Sequence, residues 1–242
     1  MRHNRPRHAA AVLYRRHRFP AEIISHCVWL YFRFAFSYRD VEEIMVVRGV
    51  ALTYETVREW CRKFGQTFAN DLRRRRPRPG DKWHLDEVFI KINGKDHYLW
   101  RAVDQDGNVL DILVQSRRNK KAAKRFFRKL LKSLRCVPWV IITDKLKSYG
   151  AAKAEVVPGV EHRRHKGLNN RAENSHQPTR VREKVMRSFK SAGHPQRFLS
   201  AFGIISSHFR PRRHLQTAER YREEMRSRFV TWREVSCVPT TA

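Results

Sequence analysis

The chain has 242 residues, 41% of them hydrophobic, and carries 52 Lys+Arg against 23 Asp+Glu, a formal net charge of +29. So much like charge repels itself in a compact fold unless a polyanion is the normal partner, and Lys and Arg that neutralise phosphates give sequence-independent affinity for nucleic acid. Length and apolar content allow a real core in one or two domains, which argues against a small ribosomal-type basic protein. Cys27, Cys61, Cys136 and Cys237 have no metal-ligand spacing, so neither a zinc site nor a disulfide framework is expected. The apolar stretch Ile23 to Phe36 is broken by His26 and Arg33, too short and polar for a membrane span, and no signal peptide precedes it. A soluble, cytoplasmic, nucleoid-associated protein is the expectation.

In chain order, residues 1–20 read as a basic arm ending at Pro20. Ile23, Ile24, Cys27, Leu30 and Tyr31 recur at helical spacing from Ala21 onward. Ser37 with Asp40 three residues later reads as a capping box, and Gly49 stops the helix that follows. Thr53 caps the next, in which Tyr54, Val57, Trp60, Cys61 and Phe64 face inward and Gly65 marks the end. Two helices joined by a short turn containing Gly have the helix-turn-helix layout, here assigned to residues 21–72, although an ordinary helical hairpin has the same pattern. The second helix would enter the major groove with Arg58 and Arg62 among its outward residues. Residues 73–80, RRRRPRPG, read as a basic Pro-rich linker along phosphate backbone, with Arg74 and Arg76 as contacts.

Beyond the linker the pattern becomes extended. Trp83 to Ile92, His97 to Val103 and Val109 to Gln115 read as strands, with Asn93-Gly94 and Asp106-Gly107 as turns. Lys120 to Leu134 reads as an amphipathic helix, and Val137 to Ile142 as a short buried strand. Three antiparallel strands, a helix and a buried strand open a ribonuclease-H-like α/β fold, assigned to residues 81–192. Glu173 falls near the start of a helix expected to run to about Met186, and residues 193–242 read as a C-terminal helical extension with stripes at Phe198, Phe202, Ile205, Phe209 and at Ala218, Tyr221, Met225, Phe229.

Three acids stand out in this basic chain: Asp86 within WHLDEV, Asp144 closing the apolar VIIT run, and Glu173 within RAEN. Strand alternation selects Asp86 over Glu87, because neighbours on a strand point to opposite faces. Helix position selects Glu173 over Glu161. Converging carboxylates repel one another unless a cation neutralises them, and hard oxygen ligands favour Mg²⁺, with Mn²⁺ as substitute. Two such ions, roughly 3.5–4 Å apart, would serve an in-line displacement at phosphorus. Arg180 lies two helical turns after Glu173, with His176 between them; with Asn169, Asn170 and Lys145, these are the expected DNA contacts near the acids. His162 and His165 read as DNA-facing or structural.

The runs WHLDEV, YLWRAVDQDG, LDILVQSRR, ITDKLKSYGAA, VEHRRHKGLNNRAENSHQPTRVRE and RSFKS closely resemble bacterial insertion-sequence DDE transposases of family six. The resemblance spans nearly the whole chain, from YRRHRFPAEII to TWREV. It implies a ribonuclease-H-like core behind an N-terminal helix-turn-helix that binds terminal inverted repeats. It also implies a catalytic triad at Asp86, Asp144 and Glu173, a basic companion at Arg180, and Mg²⁺-dependent cleavage and strand transfer by a homodimer or larger assembly on element ends and target DNA. One departure is a span between Asp144 and Glu173 several residues shorter than usual, trimmed around Val156 to Gly159. A non-cleaving relative that only binds terminal repeats, and a ribonuclease-H-like nuclease with another substrate, are the rival readings.

Overall fold

Local sequence signals set the first helices. A computed structural model describes residues 12–186, 189–191, 193–211 and 216–238; the first eleven residues of the expected basic arm and part of the RSFKS run lie outside the described residues. The described residues fall into two compact units, one up to Arg76 and from Ala201 onward, the other Pro77–Ser200.

In the first unit, α1 (Ala21–Arg33), α2 (Tyr38–Val47) and α3 (Tyr54–Arg75) follow one another. Ser37 and Asp40 cap α2 reciprocally, and the Thr53 side chain accepts from the Thr56 N–H at the start of α3. Gly49, at φ +76°, supplies the left-handed turn after α2. Gly65 does not end α3. Its missing Cβ lets the Phe32 ring pack against the helix, and α3 runs on through Arg73–Arg75, residues the sequence placed in the linker. Tyr14 and Phe19, within the expected arm, pack on Phe64 and Trp60 of α3. These aromatics anchor the segment despite its charge. α9 (Ala218–Val235) packs on α3, with Trp232 edge-on to Phe68 and Phe209, and the Tyr14 hydroxyl donates to the Ser236 carbonyl.

The second unit is built on a five-stranded sheet in the order β3-β2-β1-β4-β5. β1 (Lys82–Ile92), β2 (Lys95–Asp104) and β3 (Val109–Gln115) form an antiparallel meander, whose first turn places Asn93 and Gly94 both at positive φ, as a two-residue hairpin requires. β4 (Val140–Thr143) joins β1 in parallel, and β5 (Glu161–Arg164) joins β4 in parallel. α4 (Lys120–Leu134) and α5 (Lys147–Val156) pack on each other, burying Phe126, Phe127, Leu130, Tyr149 and Ala152 in a core with Trp83, Leu85, Trp100 and Ile141. This strand order and mix of directions is the ribonuclease-H-like arrangement. The expected long helix is instead two, α6 (Asn170–Ser175) and α7 (Gln177–Val185), with the break at His176 just before Pro178. α8 (Gly193–His208) completes the described helices before α9, and Phe198, Phe202, Ile205 and Phe209 are all buried. No helix among the described residues is long and apolar enough to cross a membrane.

Candidate active site

Register sets the two aspartates side by side. In the β1–β4 pair Leu85 stands opposite Thr143, so the next residues on these neighbouring parallel strands are Asp86 and Asp144. Ligands of α/β sheets gather at such strand ends. Asp144 lies one residue past β4, where its Oδ1 accepts from the Leu146 N–H at 3.0 Å. Asp86 is 8% exposed and faces Arg101, its partner across the β1–β2 pair.

Glu87 belongs to the same cluster. One carboxylate oxygen from each of Asp86, Glu87 and Asp144 lies within 4.8 Å of the other two. Alternation on β1 had set Glu87 aside. It does point to the opposite face from Asp86, but Asp144 sits beyond the last paired residue of β4, where no pleat confines its side chain to one face of the sheet. Glu87 is therefore reached from the α4–α5 side: its Oε1 is 3.7 Å from Arg118 Nη1, its side chain is 3% exposed, and its Oε2 has no hydrogen-bond partner of normal geometry, although the buried Tyr149 hydroxyl lies against the carboxylate.

Burial and mutual repulsion govern the charge state of this group. Burial first, then the neighbouring Asp144, pushes Asp86 up to about 7; Glu173 adds to the rise, while the Glu87 backbone N–H and Arg180 oppose it. Burial likewise takes Glu87 to about 7, with Asp144 and Asp86 contributing and Tyr149 and Arg118 opposing. A cation in contact with these oxygens reverses that preference and favours the ionised forms. Three carboxylate oxygen donors this close together fit a hard divalent ion such as Mg²⁺ or Mn²⁺.

Glu173 stands on α6, exposed and outside the cluster of three, yet close enough for its charge to be felt at Asp86. α6 packs on β1 and β2, and its start is tied down by Asn169, whose Nδ2 donates to the Leu85 carbonyl at 2.9 Å. Asn169 is fully buried, so it is an anchor and not the DNA contact the sequence placed there. His176 is corrected in the same way. At 1% exposure it sits under the site with Nε2 3.5 Å from Asp86 Oδ2, held neutral by burial and by the Arg101 and Arg180 charges. Arg101, 2% exposed and lowered to about 10 by burial, bonds the Ser175 carbonyl and the Thr179 hydroxyl. No polar periodicity marks Arg101 in the sequence; only its place across from Asp86 on a hairpin of fixed register could have found it.

The remaining expected DNA contacts divide. Arg58, Arg62, Lys145, Asn170 and Arg180 are exposed, and Arg74 is exposed and paired with Asp71 at 2.9 Å. Arg76 is spent inside its own unit, where Nη2 donates to the Ile204 carbonyl and the Ser207 hydroxyl at 2.9 and 3.0 Å. Glu161 lies on the exposed β5 and pairs with Arg163. His162 takes a structural place, its Nε2 2.9 Å from the Thr143 hydroxyl.

A ribonuclease-H-like sheet with level carboxylates on its two central parallel strands defines a class of phosphoryl-transfer enzymes on nucleic acid. Residues 80–212 match the family model DDE_Tnp_IS240, described as a DDE domain. The chain is 33% identical over 184 residues to the transposase for insertion sequence element IS257 in transposon Tn4003 of Staphylococcus aureus, an alignment covering 74% of this chain and 82% of the relative. It has the same identity and coverage to the transposase for insertion sequence-like element IS431mec of S. aureus strain Mu50. Among solved structures, a simian T-cell lymphotropic virus intasome in complex with a PP2A regulatory subunit gives a TM-score of 0.43 at 16% identity, over 69% of this chain and 59% of that one. The HTLV-2 integrase catalytic core with magnesium, in its trimeric form, gives 0.39 at 13% identity, over 59% of this chain and 92% of that one. The chain belongs to the DDE transposases of insertion sequence family six, enzymes of metal-dependent phosphoryl transfer on DNA.

Proposed function

We propose that this transposase binds the terminal inverted repeats of its own insertion sequence, cleaves the DNA at their 3′ ends and joins those ends to target DNA, with Asp86, Asp144 and Glu173 as its catalytic carboxylates. The observation that carries the reading is the register that sets Asp86 level with Asp144 on parallel neighbours, with carboxylate oxygens within 4.8 Å. A pair of Mg²⁺ ions, replaceable by Mn²⁺, would activate the attacking hydroxyl and stabilise the leaving oxygen. Asp86 and Asp144 would hold them from the sheet, and Glu173 would complete the set from α6. Arg180, exposed on α7 and electrostatically coupled to Asp86, would grip the phosphate of the strand being cut. Asn170 and Lys145 are exposed and would bind flanking phosphates.

In the first unit, α2, the Gly49 turn and α3 would act as the helix-turn-helix, Arg58 and Arg62 lying on the outward face of α3. Phosphate contacts of this kind fix position and leave sequence choice to base edges. Because cleavage must be coordinated at two ends, the working form would be a dimer or larger assembly on paired element ends.

The test uses purified protein with DNA carrying the element's own ends. With Mg²⁺ the wild type is expected to cut and join; Asp144→Asn is expected to lose both by at least a thousandfold and to bind ends as before. Retained cleavage in that variant would sink the site assignment. Binding without cleavage by the wild type, under Mg²⁺ and Mn²⁺ alike, would favour a binding-only protein.

A further inference from the structure

Trp83, Leu85 and Glu87 share one face of β1, the face that α4 and α5 cover. The first two are 1% and 0% exposed and belong to the apolar core; the third puts a carboxylate into the same stripe with its side chain 3% exposed. A hydrocarbon there would extend the core, whereas a buried carboxylate must be neutralised or satisfied. Its surroundings do only half of that. Arg118 reaches Oε1 at 3.7 Å from a position 47% exposed, which makes it a screened, loose partner. Oε2 is buried with no hydrogen-bond partner of normal geometry, and the buried Tyr149 hydroxyl against the carboxylate is a neutral group that brings no positive charge. The carboxylate also reaches Asp86 and Asp144, within 4.8 Å of both, while Glu173 on its short helix stays outside that group.

We propose that Glu87 is a metal-holding carboxylate that, with Asp86 and Asp144, binds one divalent cation in the DNA-free protein, before Glu173 is engaged. The inference rests on the reading of Asp86 and Asp144 as the metal site and adds to it a ligand from the opposite face of β1. A hard cation of the Mg²⁺ or Mn²⁺ class supplies the positive charge that the buried Oε2 lacks, and three carboxylates give it an all-oxygen set without DNA. The division of labour is then physical. The rigid sheet holds the first ion, and the helix-borne Glu173 is left free for the form of the site that contains DNA.

The test is Mn²⁺ titration of the full-length, DNA-free protein by calorimetry, with folding of each variant checked by its melting in EDTA. Glu87→Gln is expected to weaken Mn²⁺ binding at least tenfold, Glu173→Gln less than threefold, and Asp144→Asn to abolish it. Binding by Glu87→Gln within threefold of wild type, alongside loss in Asp144→Asn, overturns the role of Glu87 and leaves the site where it is. Wild-type binding by Asp144→Asn overturns the site itself. A tenfold loss in Glu173→Gln shows that the ion is not held before Glu173 is engaged, and overturns the order of assembly. If Glu87→Gln does not fold, Glu87→Asp keeps the charge and withdraws the oxygens by one methylene; it too is expected to bind at least tenfold more weakly, and wild-type affinity there overturns the proposal.

Discussion

Asp86 and Glu87 are adjacent in sequence and point to opposite faces of β1, yet both are driven to about 7 by burial and by the same neighbour, Asp144. Their ordinary values are near 4, so between about pH 4 and pH 7 the native state holds protons that the unfolded chain has released. Stability of the metal-free protein must therefore fall as pH rises through that window and level off above it. Each unit of displacement corresponds to about 1.4 kcal/mol, reduced here because the two groups titrate together. Urea unfolding in EDTA is expected to show wild-type stability lower at pH 8 than at pH 5 by roughly 2 kcal/mol, and Asp86→Asn to remove at least half of that fall. Adding Mn²⁺ at pH 8 should restore the wild type and not the variant. An equal pH-dependent fall in Asp86→Asn would mean that the strain lies elsewhere.

At the scale of elements, α3 shows how a residue can be legible and misread. Gly65 reads as a helix stop, but here it is a contact: a Cβ at that position would lie 2.6 and 2.7 Å from two atoms of the buried Phe32 ring of α1. Alanine would gain about 1 kcal/mol of helix propensity and incur roughly 1–3 kcal/mol of overpacking. Gly65→Ala is accordingly expected to lower the melting temperature by a few degrees, and a rise would show that Phe32 swings away without cost. Elements with a cap, a Gly turn or a two-faced period could be placed from sequence, α4 and β3 to the residue, because local chemistry alone specifies them. Others depend on the tertiary setting. β5 is the polar edge segment EHRR, with no alternation to detect, and α5 buries only Tyr149 and Ala152. The α6–α7 break was legible in Pro178, near the start of α7, whereas the place of His176 beneath Asp86 is an interaction no window of sequence contains. In the cluster, Asp86 and Asp144 were visible as carboxylates in a basic chain. The nearness of Glu87 was not, because alternation describes paired strands and Asp144 lies just past the end of one.

The whole molecule consists of two units that the chain does not divide in order, since the segment from Ala201 onward is part of the unit that begins the chain. Trp232 on α9 is 3% exposed and meets Phe68 of α3 and Phe209 edge-on, at centroid distances of 5.3 and 5.6 Å. The base of the helix that bears Arg58 and Arg62 is thus held by residues about 160 positions further along. Removing a buried indole costs about 3–5 kcal/mol, a large share of what holds a small helical unit together. Trp232→Ala is therefore expected to lower affinity for element-end DNA at least tenfold at 37 °C. Mn²⁺ binding in the same variant should stay within twofold of wild type, because every carboxylate of the cluster lies in the other unit. Titrating one preparation with both ligands decides the matter. Parallel loss of DNA and metal binding would show that the two units fold as one, whereas end binding at wild-type strength would mean that the helix pair needs no support from the C-terminal segment.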